Sequence, residues 1–182
     1  MKKFKTILAF FFIFMLIMSC KKNDDVIFAV QNERYKELFK NYIIHNDYDI
    51  EIIDNGNYLT IKNSTMDVWL GISNIIRLEM DTISGNIANA STTRTYNGGP
   101  FIRQFVTFSI ENEVEIISDI SSEGRLVYDP THPDAIQTGE WQDYVEYPNV
   151  NTTVEMINML EASSFYESIT KYIKNNYKNV IF

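Results

Sequence analysis

The sequence is short of the groups that most small-site chemistry uses. It holds one cysteine and two histidines among 182 residues. A lone cysteine excludes a disulfide within the chain. His45 and His132 stand far apart, and neither has a second histidine at the helical spacing of a zinc site. Basic residues are also scarce, with 16 Lys and Arg against 24 Asp and Glu. That balance gives no basic stripe for nucleic acid. Glycine and proline number seven and four, and no low-complexity tract or internal repeat is present. Gly98-Gly99 lacks the lysine of a phosphate loop and reads as a turn. Glu140, Asp143 and Glu146 offer paired carboxylates, but acidic loop residues are usually solvated. No nucleophile and base stand together, so the expectation is a protein without catalytic residues, metal, cofactor or small-molecule substrate.

Long apolar runs are absent with one exception. Residues 7–18 are twelve uninterrupted apolar residues behind Lys2, Lys3 and Lys5. Twelve residues are too few to span a bilayer as a helix but suit the apolar core of a signal peptide. Leu16-Ile17-Met18-Ser19-Cys20 follows, and it resembles a bacterial lipobox, in which cleavage precedes the cysteine. The expectation is a signal peptide over 1–19 and lipid attachment at Cys20, with the protein outside the cytoplasm on a membrane anchor.

Residues 20–65 read as an extension. Lys21 to Asp25 is charged and reads as a solvated tether. Residues 31–45 read as a short amphipathic helix, with Tyr35, Leu38, Phe39 and Tyr42 at helical spacing. Residues 48–53 and 58–62 read as two strands around the turn Asp54-Asn55-Gly56-Asn57. A helix and a hairpin are too small to carry a core alone.

Two long periodic segments bracket the remainder. Trp69, Ile72, Ile76, Met80, Ile83, Ile87 and Ala90 recur at spacings of 3, 4, 4, 3, 4 and 3. That is one apolar face of a helix. Asp67 suits the positive end of its dipole, and Asn89 is a candidate for a left-handed closing residue. The second segment spans about 152–178, with Met159, Ala162, Tyr166, Ile169 and Ile173 at spacings of 3, 4, 3 and 4. Asn151 or Thr152 can cap it, and Lys171, Lys174 and Lys178 suit its negative end. Isolated helices are marginal in water, so each face needs a partner. The two faces are expected to bury each other as a coiled-coil-like hairpin. Ile75, Leu78 and Leu160 lie off these seams and offer further apolar surface. Between the helices, residues 101–110, 114–117 and 126–128 look like strands, and Pro130, Pro133, Gly139 and Pro148 punctuate loops. The architecture is α+β: two long terminal helices with a small β part between them.

Specific blocks lie within this second part, in the order MDV at 66–68, RLEMDTISGNIANASTTRT at 77–95, GGPFIR at 98–103, RLVYDPTHPDA at 125–135, YPNVN at 147–151 and EMINMLEASSFYE at 155–167. Together they resemble the proximal-rod proteins of the bacterial flagellar basal body, the FlgC family. The residues that carry the likeness are Asn86, Asn89, Thr92, Thr93, Arg94, Gly98, Gly99, Pro100, Tyr128, Asp129, Pro130, Pro133, Pro148, Asn149 and Asn151. The resemblance covers residues 66–182, which it implies form the rod domain. It implies a structural protein that polymerises through terminal helices lining the rod, with copies of itself and other rod proteins as partners. The chain departs from the family in its leader and extension, in Trp69-Leu70 at a small-residue stretch, and in Ser164, Phe165 and Ile169. A second reading is therefore a membrane-tethered lipoprotein paralogue that binds rod subunits or another periplasmic partner.

Overall fold

A computed structural model describes residues 20–22, 25–30, 33–46, 50–54, 56, 59–62, 64–108 and 113–177. The expected signal peptide lies outside the described residues. The fold mixes helix with small antiparallel sheets, an α+β architecture. The described residues divide into two compact units. One takes in the chain up to Asn74, Phe108 and Glu113, and the chain from Glu167 onward; the other takes in Ile75–Thr107 and Val114–Tyr166.

The first unit begins with strands β1 (Cys20–Lys22) and β2 (Asp25–Val30), which pair antiparallel with Cys20 opposite Ile27. Lys21 and Lys22, expected in a solvated tether, thus lie in β1 and Asp25 opens β2, which has no counterpart among the strands expected from sequence. The segment Val26-Ile27-Phe28-Ala29-Val30 is rich in β-branched and aromatic residues, which suit a pleated surface. Helix α1 (Glu33–His45) follows, then β3 (Glu51–Asp54) and β4 (Leu59–Lys62). The sheet order is β1-β2-β4-β3. Gly56, at φ +84°, turns the β3–β4 hairpin, and its N–H donates to Asp54 Oδ1 at 2.9 Å. Tyr35, Leu38, Phe39 and Ile43 of α1 and Ile61 of β4 are buried. The Lys36 ammonium is buried as well; it donates to the Gly56 carbonyl at 2.9 Å and to Glu33 at 2.6 Å. Those bonds satisfy a charge that burial would otherwise make costly.

Two long helices contribute to both units. Helix α2 spans Met66–Ala88 and α3 spans Thr152–Asn176. In the first unit Trp69, Ile72, Ile169, Tyr172 and Ile173 are buried, and the Trp69 and Tyr172 rings lie 4.7 Å apart. Ser64 ties this region together. Its Oγ accepts from the Trp69 indole at 2.8 Å, and its carbonyl accepts from the Tyr177 hydroxyl at 2.8 Å.

The second unit holds the pairs β5 (Gln104–Phe108) with β6 (Val114–Ser118), and β7 (Arg125–Tyr128) with β8 (Tyr144–Tyr147). Strand β8 falls where the sequence reads as loop; Tyr144, Val145 and Tyr147 give it strand character, and Val145 is fully buried. Glu146, read as a loop carboxylate, lies in this strand opposite Leu126. Asn89 closes α2 without the left-handed conformation expected of it: among the described residues Asp143 is the one non-glycine at positive φ. Instead, the Asn89 backbone and side-chain amides both donate to the Gly85 carbonyl, at 3.1 and 2.9 Å. These bonds satisfy an end carbonyl within the right-handed turn. Asn151 is the cap of α3, its Oδ1 accepting the N–H groups of Thr153 and Val154 at 3.1 and 3.2 Å.

Candidate functional site

Most of the quoted sequence blocks lie in the second unit, where several of them contribute to a polar network. Its centre is Asn86, fully buried near the end of α2. The side chain treats β5 as a neighbouring strand would. Its Nδ2 donates to the Gln104 carbonyl at 2.7 Å, and its Oδ1 accepts the Gln104 N–H at 2.8 Å. The second amide proton reaches Glu155 Oε2 at 3.2 Å. A peptide group buried without a partner costs roughly 1–3 kcal/mol, so this one asparagine fastens the first residue of β5 to a helix.

Glu155 enters from the first turn of α3 and is fully buried. Its other oxygen accepts from Arg103 Nε at 2.6 Å. The pair is worth little net, because desolvation offsets most of the attraction, but removing one partner strands the other charge. Arg103 also ties in through its backbone: its N–H donates to Asn149 Oδ1 at 2.7 Å, and its carbonyl accepts from the Asp119 N–H at 2.7 Å. Asn149 Nδ2 completes the ring on the carbonyls of Asp119 and Ser122, at 2.8 and 3.0 Å. The hydroxyls of Ser121 and Ser122 hold the Asp119 carboxyl below its ordinary pKa. The end of α2, strand β5, the segment after β6 and the start of α3 are thereby locked together.

A second cluster joins the Thr-Thr-Arg-Thr block to the Tyr-Asp-Pro block. Thr93 donates to Asp134 Oδ2 at 2.7 Å, and Arg94 pairs with the other Asp134 oxygen and donates to the Pro133 carbonyl at 3.4 Å. Between Thr92 and Phe101 the chain doubles back. The Phe101 N–H donates to the Thr92 carbonyl at 2.9 Å, and Gly98 and Gly99 take φ of +82° and +70° at the tip. Pro100 follows directly. Across from it, Asp129 Oδ1 accepts from the Thr131 hydroxyl at 2.8 Å, which with the Thr131 N–H lowers the Asp129 pKa. His132 Nδ1 accepts the Asp134 N–H at 3.1 Å, so that nitrogen braces the Pro130–Pro133 loop. Tyr128 stands 62% exposed with its ring edge on Tyr144.

The expected seam residues divide in their burial. Trp69, Ile72, Ile76, Ile83, Ala162, Ile169 and Ile173 are buried, while Met80, Ile87, Met159 and Tyr166 are half-buried. Ile75, expected off the seam, is buried too, and Leu160 is 68% exposed. Arg103 and Asp119 are not singled out by the sequence, while Glu155 reads only as an acidic residue in the first turns of its helix and Asp134 only as part of the loop around His132. Arg103 and Glu155 stand at the ends of their blocks, which was the available signal; Asp119 carried only a Ser-Ser pair beside it. The polar groups described in these clusters are engaged with backbone or with one another, an arrangement suited to holding segments in place.

Residues 142–176 match the family model described as flagellar basal body rod FlgEFG protein C-terminal. Over a longer stretch the chain is 38% identical to the flagellar basal-body rod protein FlgC of Borreliella burgdorferi, covering 55% of this chain and 80% of that protein. The chain belongs to the FlgC family. The FlgC of Bacillus subtilis is 32% identical, over 50% of this chain and 75% of its own length. That of Aquifex aeolicus is 31% identical, over 52% of this chain and 74% of its own length. The FlgC-like blocks read from the sequence are those whose side chains build the two polar clusters.

Proposed function

We infer that this chain is a structural component of the bacterial flagellar basal-body rod. The observation that carries this is the 38% identity extending over 80% of a FlgC protein. The chain is a structural protein and not an enzyme. The relatives' names place weight on the rod and away from a stand-alone tethered paralogue. Its partners are other rod proteins and copies of itself, and its place is the basal body.

The finer reading is that assembly proceeds through α2 and α3. The N-terminal part of α2 meets the C-terminal part of α3 at Trp69 and Tyr172, and Asn86 near the other end of α2 meets Glu155 near the start of α3. That order supports an antiparallel pairing of the two seams. Val154, Met156, Ile157 and Leu160 of α3 are 45%, 55%, 44% and 68% exposed, and this supports a face that another subunit covers. The leader supports export and acylation of Cys20, since two or more acyl chains hold a protein firmly on a membrane.

Purified basal bodies test the rod assignment. A tagged full chain should co-purify with them in fixed ratio to the other rod proteins; a tagged chain found only in the membrane fraction overturns it. Labelling with a lipid precursor should mark the wild type and not Cys20→Ser, and an unprocessed Met1 terminus would sink the anchor.

A further inference from the structure

We propose that the extension, residues 20–62, is a built-in cap on the helix surface formed by residues 66–74 and 167–177, and that it holds the free subunit back from self-association through that surface. The last step rests on the reading of the chain as an assembling subunit.

The deciding contact is between Tyr42 of α1 and Gly71 of α2. A β-carbon built on Gly71 would lie 1.7 Å from the Tyr42 hydroxyl oxygen, 2.4 Å from Cζ and 3.1 Å from Cε1. The tyrosine ring therefore occupies the space of a missing side chain, and a β-carbon at 71 would require the ring to shift. A stiff aromatic ring seated in a one-atom gap on a helix is a keyed contact, unlike the loose packing of a tether.

The key sits on a braced body. Lys36 fastens α1 to the β3–β4 turn at Gly56, and Lys40 pairs with Asp54 of β3 at 2.6 Å. Tyr42 lies on the α1 face that also carries the buried Tyr35, Leu38, Phe39 and Ile43. This module shares its unit with the helix stretches that carry Trp69, Ile72, Ile169 and Ile173, each fully buried. In the other unit α3 leaves Met156 and Leu160 exposed. The helix stretches that share a unit with the extension carry these buried apolar side chains. Were the key withdrawn, that hidden surface would open to water, and exposed apolar patches of this kind drive association.

The test uses the full chain. Gly71→Ala should expel Tyr42, raising hydrogen exchange across 33–62 roughly tenfold or more while 75–107 and 114–166 keep their protection. The variant should also sediment as oligomers at a concentration where the wild type is a monomer. In a Tyr42→Ala background the same Gly71→Ala change should add nothing, because the space is already vacant. Should Gly71→Ala fail to fold, Tyr42→Ala alone opens the contact by leaving a void, and the same two readings apply. Unchanged exchange over 33–62 overturns the keyed contact. Loosened exchange with a strictly monomeric protein overturns the cap's control of association. Both readings are made on purified protein, so they are independent of whether the wild type is found in basal bodies, where the rod assignment itself is tested.

Discussion

Each of the two units draws its stability from different physics along its share of the same two helices. In the first, α2 and α3 offer Trp69, Ile72, Ile169, Tyr172 and Ile173 to a mainly apolar interior. In the second, the same helices bring Asn86 and Glu155 to a network of directed hydrogen bonds with Arg103, Gln104 and Asn149. Apolar packing asks for volume and tolerates exchange among side chains of similar size. A buried hydrogen-bond network asks for particular atoms at particular places, and a partly satisfied one is worse than none. This explains why the blocks that identify the FlgC family cluster in the second unit. Asparagine, arginine and threonine at fixed positions are legible; a set of interchangeable apolar residues is not.

The largest effect should come from placing a charge in the apolar unit. Ile169 is fully buried. Ile169→Asp combines a cavity with an unpaired charge and should cost upward of about 4 kcal/mol. Urea unfolding of the chain would read this as a lowered midpoint; a wild-type midpoint would mean that the first unit is not the dry core described.

Breaking the polar unit comes next. Arg103→Ala leaves the buried Glu155 carboxylate without its cation and should cost about 3–5 kcal/mol. Adding Glu155→Gln should recover part of that loss, since the stranded charge is gone while its hydrogen-bonding shape remains. If the single and double variants melt alike, the network acts only as packing and the contrast between the units collapses.

The units should also respond to pH with opposite signs. Burial pushes the Tyr172 hydroxyl, in the first unit, up to about 12 from 10.0. The neutral phenol then contributes stability that is complete below pH 10 and lost as pH climbs toward about 12. Tyr172→Phe should flatten that alkaline fall in a melting series. In the second unit the hydroxyls of Ser121 and Ser122 hold Asp119 below 3.8, and that of Thr131 does the same for Asp129. Their contribution is present above pH 3.8 and fades as pH falls below it. Both residues are only half-buried, so this acid limb should be shallow.

The smallest effect on the free chain is expected at Leu160, on the same helix as Ile169 but 68% exposed. Leu160→Asp should move stability by no more than about 0.5 kcal/mol. Incorporation into basal bodies should fall sharply if this face meets another subunit. A variant that incorporates like the wild type would leave the exposed apolar strip of α3 without a role in assembly.

Much of this organisation was legible in the chain itself. Helical periodicity located α2 and α3 to within three residues at their observed ends, because a repeat of 3 and 4 over many turns has no other regular explanation. Asp54-Asn55-Gly56 marked its hairpin, and Gly98-Gly99-Pro100 its turn, because few residues adopt those backbone angles. Residue type and place narrowed the cap of α3 to Asn151 or Thr152, and the structure uses Asn151. Strand β8 was hidden behind acidic residues that suggest loop, and β1 behind a charged stretch that suggests a tether. Both strands exist because a neighbouring strand supplies their hydrogen bonds, and pairing is a property of two segments.

The amino-acid sequence by itself determined the helices, the main turns and the FlgC-family blocks, since each is written in residues adjacent or regularly spaced along the chain. Only the tertiary structure decided which apolar residues of a common stripe are buried, that Asn86, Arg103, Asn149 and Glu155 form one network across 69 positions of sequence, and that Tyr42 fills the space above Gly71. Those outcomes depend on which surfaces arrive beside one another. A one-dimensional pattern records what each residue can bury or bond, and three-dimensional packing selects the partner.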